Sequence, residues 1–402
     1  MNISPAHVRS VLLATVPAAA ADPSSVRLVR SPGRINLIGE HTDYNEGFVL
    51  PMAIDRAIVI ALVPSDDRCV EITRLDTGEL ARFDLDADYQ GSGTWVDYLG
   101  GMAALLARRG VPTRGVRGVI ASSLPIAVGL SSSAAIEIAA AWAIADGEDV
   151  PLPPMELARA GQAVEHEFIG VNSGLMDQLA VIFGRRDAAL LIDCRSLEHR
   201  PVRLPLERHA VVAIDSGSPR RLGSSAYNER RAECEAVVSA VAKQDPKVRA
   251  LRDVDLEMLD AVRGSVSPAA LDRAEHVIRE NERVLACVAA LERGDLAAVG
   301  DLLAASHASL RDLFEVSSPQ LDALVEIATS TPGVVGARMT GAGFGGSIVA
   351  IAARDQIGQL REAIDDRYTS ETGLRAMVHV VEPADGAGRV DQSVEPRFSS
   401  NR

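Results

Sequence analysis

The chain has 402 residues, 47% hydrophobic and 24% charged, the balance of a folded protein with a large core rather than of a disordered one. Its net charge of −14 argues against a general affinity for nucleic acid or an anionic lipid surface, so an anionic ligand needs a locally built site. The length exceeds a typical single core and predicts two domains, and no apolar run approaches the ~20 residues that span a bilayer.

Cys69, Cys194, Cys234 and Cys287 are far apart, with no CxxC or CxxH spacing, which points away from a disulfide framework or structural zinc and fits a reducing cytoplasm. Near the start, Arg9 followed by VLLATVPAAAA has the outline of a short secretory signal. The reading preferred here is a helix with Val8, Leu12 and Val16 at i, i+4 and i+8, closed by Pro17.

Short β-rich runs follow at 26–30 and 57–63, then a helical pattern over 95–109. Three more helical patterns cover 132–145, 155–168 and 174–183; in the second, Leu157, Gly161, Val164 and Phe168 share a face. Apolar runs at 188–193 and 210–214 predict strands. Residues 226–330 read as mostly helical, with breaks near Pro246, Pro268, Gly294 and Pro319. The chain then runs strand, glycine turn, strand, helix (356–369), strand. This mixture predicts an α+β protein of two lobes, 1–200 and 201–384, followed by a tail over 385–402 that frays.

Three segments carry chemistry. SPGRINLIGEHTDYNEGFVLPMAI, 31–54, packs Arg34, Glu40, His41, Asp43 and Tyr44 into an apolar context, and carboxylates such as Glu40 and Asp43 suit a polyol because each accepts several hydroxyl hydrogen bonds. A solvated turn with a local ion pair explains the same residues about as well. PIAVGLSSSAAIEIAAAWAIA, 125–145, runs a Gly/Ser turn into an Ala-rich helix, where free N–H groups and the helix dipole bind phosphate and Ser131, Ser132 and Ser133 add hydroxyls. Three consecutive serines exceed what an N-cap needs.

TGAGFGGS, 340–347, has G-x-G-x-x-G spacing at Gly341, Gly343 and Gly346, but a strand pattern follows it rather than a helix, and the chain has no GxxxxGK[ST]. A dinucleotide fold and a Walker loop are therefore rejected. A tight hairpin and a backbone loop closing on ligand both fit that cluster. Glu165 and Asp177 fall in neighbouring helical segments. Asp177 lies near a helix start among Leu175, Met176 and Leu179, where the dipole favours an ionised base.

PGRINLIGEHTDYNEGFVLP resembles the galactokinase signature, GLSSSAA the second GHMP-kinase motif and MTGAGFGGS the third, while GLMDQ and SSAYNERRAEC are similar to further galactokinase segments. The resemblance runs in family order from about 26 to 382. It implies a two-lobed GHMP fold, an N-terminal lobe like ribosomal protein S5 domain 2 and a C-terminal GHMP lobe, with ATP and sugar between them. It implies sugar contacts from Glu40, His41, Thr42, Asp43, Gly174 and Tyr227, and ATP phosphates wrapped by Ala127, Val128, Gly129, Leu130, Ser131, Ser132 and Ser133. Mg2+ would sit on Ser133 and Glu165, Asp177 would be the catalytic base and Arg34 its partner.

The implied reaction is ATP-dependent phosphorylation of the anomeric C1 hydroxyl of galactose in the cytoplasm, by a monomer or weak oligomer with no nucleic-acid or membrane partner. Two departures stand out. Ala127 and Val128 occupy positions where the family's loop has a further glycine and an alanine, and Asn172 and Ser173 replace Pro and Cys before Gly174. The alternatives are a related sugar-1-kinase acting on L-arabinose, galacturonate or N-acetylgalactosamine, and a non-catalytic sensor of sugar and ATP.

Overall fold

The computed structural model describes residues 3–124, 129–147, 150–218 and 223–390. Strands run β1 Arg27–Asn36, β2 Phe48–Val49, β3 Pro51–Ser65, β4 Cys69–Arg74, β5 Leu80–Asp84, β6 Gly115–Ser122, β7 Ala188–Asp193, β8 His199–Arg203, β9 His209–Asp215, β10 Val334–Thr340, β11 Ser347–Ala353, β12 Met377–Val381 and β13 Gly388–Arg389. Helices run α1 Pro5–Thr15, α2 Pro17–Ala21, α3 Val96–Arg108, α4 Ser132–Ile144, α5 Pro154–Val164, α6 Met176–Phe183, α7 Gly223–Ala242, α8 Leu256–Ala261, α9 Pro268–Arg293, α10 Leu296–Asp312, α11 Pro319–Ser330 and α12 Ile357–Ala363.

Among the described residues three sheets form, ordered β13-β1-β3-β6-β4-β5, β10-β11-β9-β12 and β2-β7-β8. Only the β4–β6 pairing is parallel. The apolar run in β3 is continuous because both faces are covered. Val59, Ala61 and Val63 join Val8 and Leu12 of α1, while Ile58, Ile60 and Leu62 join the core under α3 and α4. β9 alternates in the same way: Val211 and Ala213 face that first core, and Val212 and Ile214 face the helices of the second half. The second sheet thus carries a separate core on each face.

The predicted breaks have physical causes. Pro268 and Pro319 open α9 and α11 behind Ser267 and Ser318, whose side chains cap Ala270 and Leu321, and Gly294 closes α9 in the left-handed conformation. The pattern expected over 155–168 differs: α5 ends at Val164 and continues as a π-helical turn, Glu165–Ile169, closed by Gly170 at φ 78°. Residues 385–390 also differ from the expected tail, since β13 pairs with β1 and Arg186 bonds Asp385; residues 391–402 lie outside the described residues. Among the described residues no helix is long and apolar enough to cross a membrane.

Candidate active site

β1 ends in an irregular register between Pro32 and Arg34, and Gly33 sits where a Cβ would lie 2.6 Å from the Leu130 carbonyl oxygen and 2.3 Å from Leu124 Cδ2. Only a glycine lets the segment before α4 pass this close. Arg34 N–H donates to the Leu130 carbonyl, and its guanidinium donates to the Gly129 carbonyl and, in a fork, to both oxygens of Asp177 at 2.6 and 2.7 Å. Burial opposes a charged Arg34, but the Asp177 carboxylate outweighs it and raises the guanidinium above its usual range. Ser131 Oγ donates to Asp177 Oδ2 as well. Asp177, in the first turn of α6, thereby joins β1 and the start of α4 at one point.

A cleft of about 490 Å³ opens around this point. On one side are Gly129, Ser131, Ser132 and Ser133. Gly129 (φ 86°) and Ser131 (φ 53°) are both left-handed, and the first N–H groups of α4 have no side-chain cap, a geometry that suits an anionic phosphate. Leu130 is buried and contributes its carbonyl to Arg34 rather than a surface to the cleft. Ala127 and Val128 lie outside the described residues.

On the other side are Glu40, His41, Asp43, Gly174 and Tyr227, with Gly341, Ala342 and Gly343 from the β10–β11 turn. That turn holds left-handed residues at 341 and 343–346 and leads directly into β11, so the glycine cluster is a hairpin that also walls the cleft.

Glu40 is 1% exposed and both oxygens of its carboxylate are held by the chain. Oε1 accepts from Thr340 Oγ1 at 3.0 Å and Gly341 N at 2.8 Å and pairs with Arg338 at 3.3 Å; Oε2 accepts from Asn36 Nδ2 at 2.6 Å. Arg338 also donates to the carbonyls of Asn36 and Leu37, His276 Nε2 lies 3.2 Å from the Glu40 carbonyl, and Gly39 N donates to Glu280. Thr42, expected at the sugar, is fully buried; its hydroxyl donates to the Gly39 and Phe48 carbonyls at 2.9 and 2.6 Å and stays out of the cleft. It holds the turn instead.

His41 is left-handed at φ 61°, bonds Tyr44 Oη through Nδ1 at 2.9 Å and packs 5.4 Å from the Tyr227 ring. Burial, with His276 nearby, lowers its pKa to about 3, so the ring is neutral. Burial and the Asp177 charge raise Asp43 to about 6 and Glu165 to about 7. Asp43 accepts N–H bonds from Tyr44 and Met176. Glu165 accepts from Ser173 Oγ and Ser133 Oγ. Gly174 packs so tightly that a Cβ there would meet Asp43 Oδ2 at 1.9 Å.

Sequence reasoning missed one wall of the cleft, formed by Ile58, Trp95, Tyr98, Ile120, Leu124 and Ile136, with Arg74 5.5 Å from the Trp95 ring centroid. Apart from Ile136, no quoted motif contains these residues; the faces of β3, β6, α3 and α4 gather them. Gln178 and the buried Glu137, whose Oε2 accepts from Gln178 at 3.1 Å, lie inside quoted segments without having been singled out, and Ser173 was noted only as a departure before Gly174.

This fold and cleft define a GHMP-type small-molecule kinase, a phosphotransferase. Family models match in order: the galactokinase galactose-binding signature at 19–64, the GHMP kinase N-terminal domain at 97–185 and the GHMP kinase C-terminal domain at 287–370. Galactokinases of Roseiflexus sp. (strain RS-1) and Chloroflexus aurantiacus are each 44% identical over 370 residues, 92% of this chain and 94% and 95% of theirs. The chain belongs to the galactokinase family. The Lactococcus lactis galactokinase complexed with galactose superposes with a TM-score of 0.88 at 35% identity, covering 95% of this chain and 99% of that one. Methanococcus jannaschii mevalonate kinase, at 19% identity and a TM-score of 0.65 over 90% of this chain and 99% of that one, shares the fold.

Proposed function

We propose that the chain catalyses in-line transfer of the γ-phosphoryl group of ATP to O1 of galactose, with Asp177 and Arg34 at the point of transfer. The observation that carries this assignment is the forked Arg34–Asp177 pair lying where the serine-lined and sugar-facing walls of the cleft meet. The new O1–P bond forms as the bond from phosphorus to the ADP oxygen breaks, and the O1 proton passes to Asp177. Both oxygens of Asp177 already accept hydrogen bonds, so it orients O1 first and takes the proton late, as a loose phosphoryl transition state permits. Arg34 offsets charge on the equatorial oxygens through a planar fork that lysine does not reproduce.

On the nucleotide side, the α4 N-terminus and Ser131–Ser133 cradle the phosphates, and the Trp95, Tyr98 and Ile136 wall takes the base. Ser133 and Glu165 suit Mg2+: the hydroxyl and the carboxylate lie within hydrogen-bond reach of each other, and Mg2+ favours one or two protein oxygens completed by phosphate and water. When bound there it would neutralise charge on the phosphate oxygens. On the sugar side, Asp43, His41, Tyr227 and the Gly174 backbone contact hydroxyls, and Glu40 fixes their turn.

Incubation with Mg-ATP and a panel of galactose, 2-deoxygalactose, glucose, N-acetylgalactosamine, galacturonate and arabinose, followed by ADP release, tests the reading. Galactose-dependent ADP is the expected result. Turnover confined to another sugar overturns the substrate, and sugar binding without ADP overturns the kinase assignment.

A further inference from the structure

The loop 170–174 touches both halves of the cleft. Its Ser173 hydroxyl donates to Glu165 Oε2, while the next residue, Gly174, seats the Asp43 carboxylate by its missing Cβ. The Ser173 carbonyl is gripped by Gln162 Nε2 at 3.0 Å and lies 2.9 Å from His166 Nε2, so α5 and its π-helical extension fix the loop from the Glu165 side. The second half of the chain fixes it from the other. Asn228 accepts from Asn172 N at 3.1 Å and donates to the Gly170 carbonyl, and Arg231 donates to the Asn172 carbonyl at 2.9 Å, both from the turn of α7 that carries Tyr227. Gly174 is thus adjacent to the residue that bonds Glu165, and α7 reaches that residue through Asn172.

We propose that Ser173 is a positioning residue that couples the two substrates: its hydroxyl sets the Glu165 carboxylate for the metal–nucleotide side, while its neighbours Asn172 and Gly174 are held against α7 and Asp43 on the sugar side. This rests on the assignment of Glu165 to the metal and of Asp43 and Tyr227 to the sugar. A hydroxyl bonded to a ligating carboxylate fixes its orientation, and loss of such partners weakens metal binding about tenfold or more.

The test is calorimetric titration of Mg-ADP into the wild type, Ser173→Ala and Ser173→Thr, each with and without saturating galactose, together with galactose titration in the absence of nucleotide. In Ser173→Ala, galactose alone should bind as in the wild type, which also reports an intact fold. Mg-ADP affinity should fall about tenfold, and the ratio of Mg-ADP affinities with and without galactose should approach one. Ser173→Thr, which keeps the hydroxyl, should restore both. Unchanged Mg-ADP affinity and an unchanged ratio in Ser173→Ala overturn the proposal. The same titration on Glu165→Gln tells the two failures apart: wild-type Mg-ADP affinity there removes the Glu165 assignment itself, whereas a weakened Glu165→Gln beside a normal Ser173→Ala removes the role of Ser173 alone.

Discussion

The Glu40 turn and the acids Asp43, Glu165 and Asp177 face the same cleft and treat polarity in opposite ways. Around Glu40, both carboxylate oxygens and the nearby carbonyls are held by β10, the turn after it, α9 and Asn36, although Asn36 Oδ1 and Arg338 Nε find no partner. Around the three acids, burial and mutual repulsion hold two carboxyls well above their ordinary range, and one cation, Arg34, sits among them. Two carboxylates three positions apart in one signature thus differ in kind. The one satisfied by its own chain is scaffold, and the one left high in pKa at the cleft wall is available for chemistry.

The comparison can be broken first at Asp177. Asp177→Asn should lower turnover by about 10³-fold while leaving galactose binding nearly unchanged; ADP release and calorimetry measure the two, and normal turnover would strike Asp177 from the reaction. On the scaffold side, Arg338→Met should destabilise the fold by ~3–5 kcal/mol in chemical denaturation, because it breaks a fully buried ion pair and orphans two carbonyls. A loss under ~1 kcal/mol would mean the turn stands without this brace.

Gly174→Ala sharpens the contrast with a small change. Displacing Asp43 should cut kcat/KM for galactose about 10²-fold, with the melting temperature near that of the wild type; a normal kcat/KM would show that Asp43 does not depend on this seat. The pH dependence follows from the raised carboxyls. With Asp43 near 6 and Glu165 near 7, kcat/KM should fall at least about tenfold as pH drops from 8 to 5.5.

Stability should run the other way. Ionising a carboxyl whose folded pKa is raised costs stability, a cost absent below the unfolded value near 4 and fully present above the folded value. Asp43→Asn should therefore gain stability over the wild type at pH 8, keep most of that advantage at pH 5.5 and lose it only as pH falls below about 4, read as the difference in melting temperature at each pH. The smallest effect belongs to the exposed Arg186–Asp385 pair, where Arg186→Ala should cost under ~1 kcal/mol. A larger loss would show that β13 matters more to the first sheet than its two residues suggest.

Much of this was legible in the chain. Period-3.6 patterns located α3, α4 and the long helices, and punctuation such as Pro268 and Gly294 marked their ends because it acts within a few residues. Arg34, Asp43, Asp177 and the three serines were singled out by local patterns together with the family resemblance, and they line one cleft. The π-helical turn at Glu165 was not, since one extra residue per turn leaves the apolar spacing of 155–168 almost intact. Nor was the role of Glu40: whether its carboxylate is free or held depends on Thr340 and Gly341, about 300 positions away. The Trp95 wall and the Ser173 hydroxyl became meaningful only through partners on other elements, Arg74 and Glu165.

The brace on Glu40 has a consequence for how the protein is made. Its donors from β10 leave the ribosome about 300 residues after the turn they hold. At ordinary elongation rates that interval is on the order of tens of seconds. For that time the signature segment exists with its carboxylate and carbonyls unmatched, and a fragment ending before residue 338 would carry nearly every named site residue yet leave the sugar turn unfastened. Competence should therefore arrive late in synthesis, with the hairpin that follows α11, rather than grow as each motif emerges.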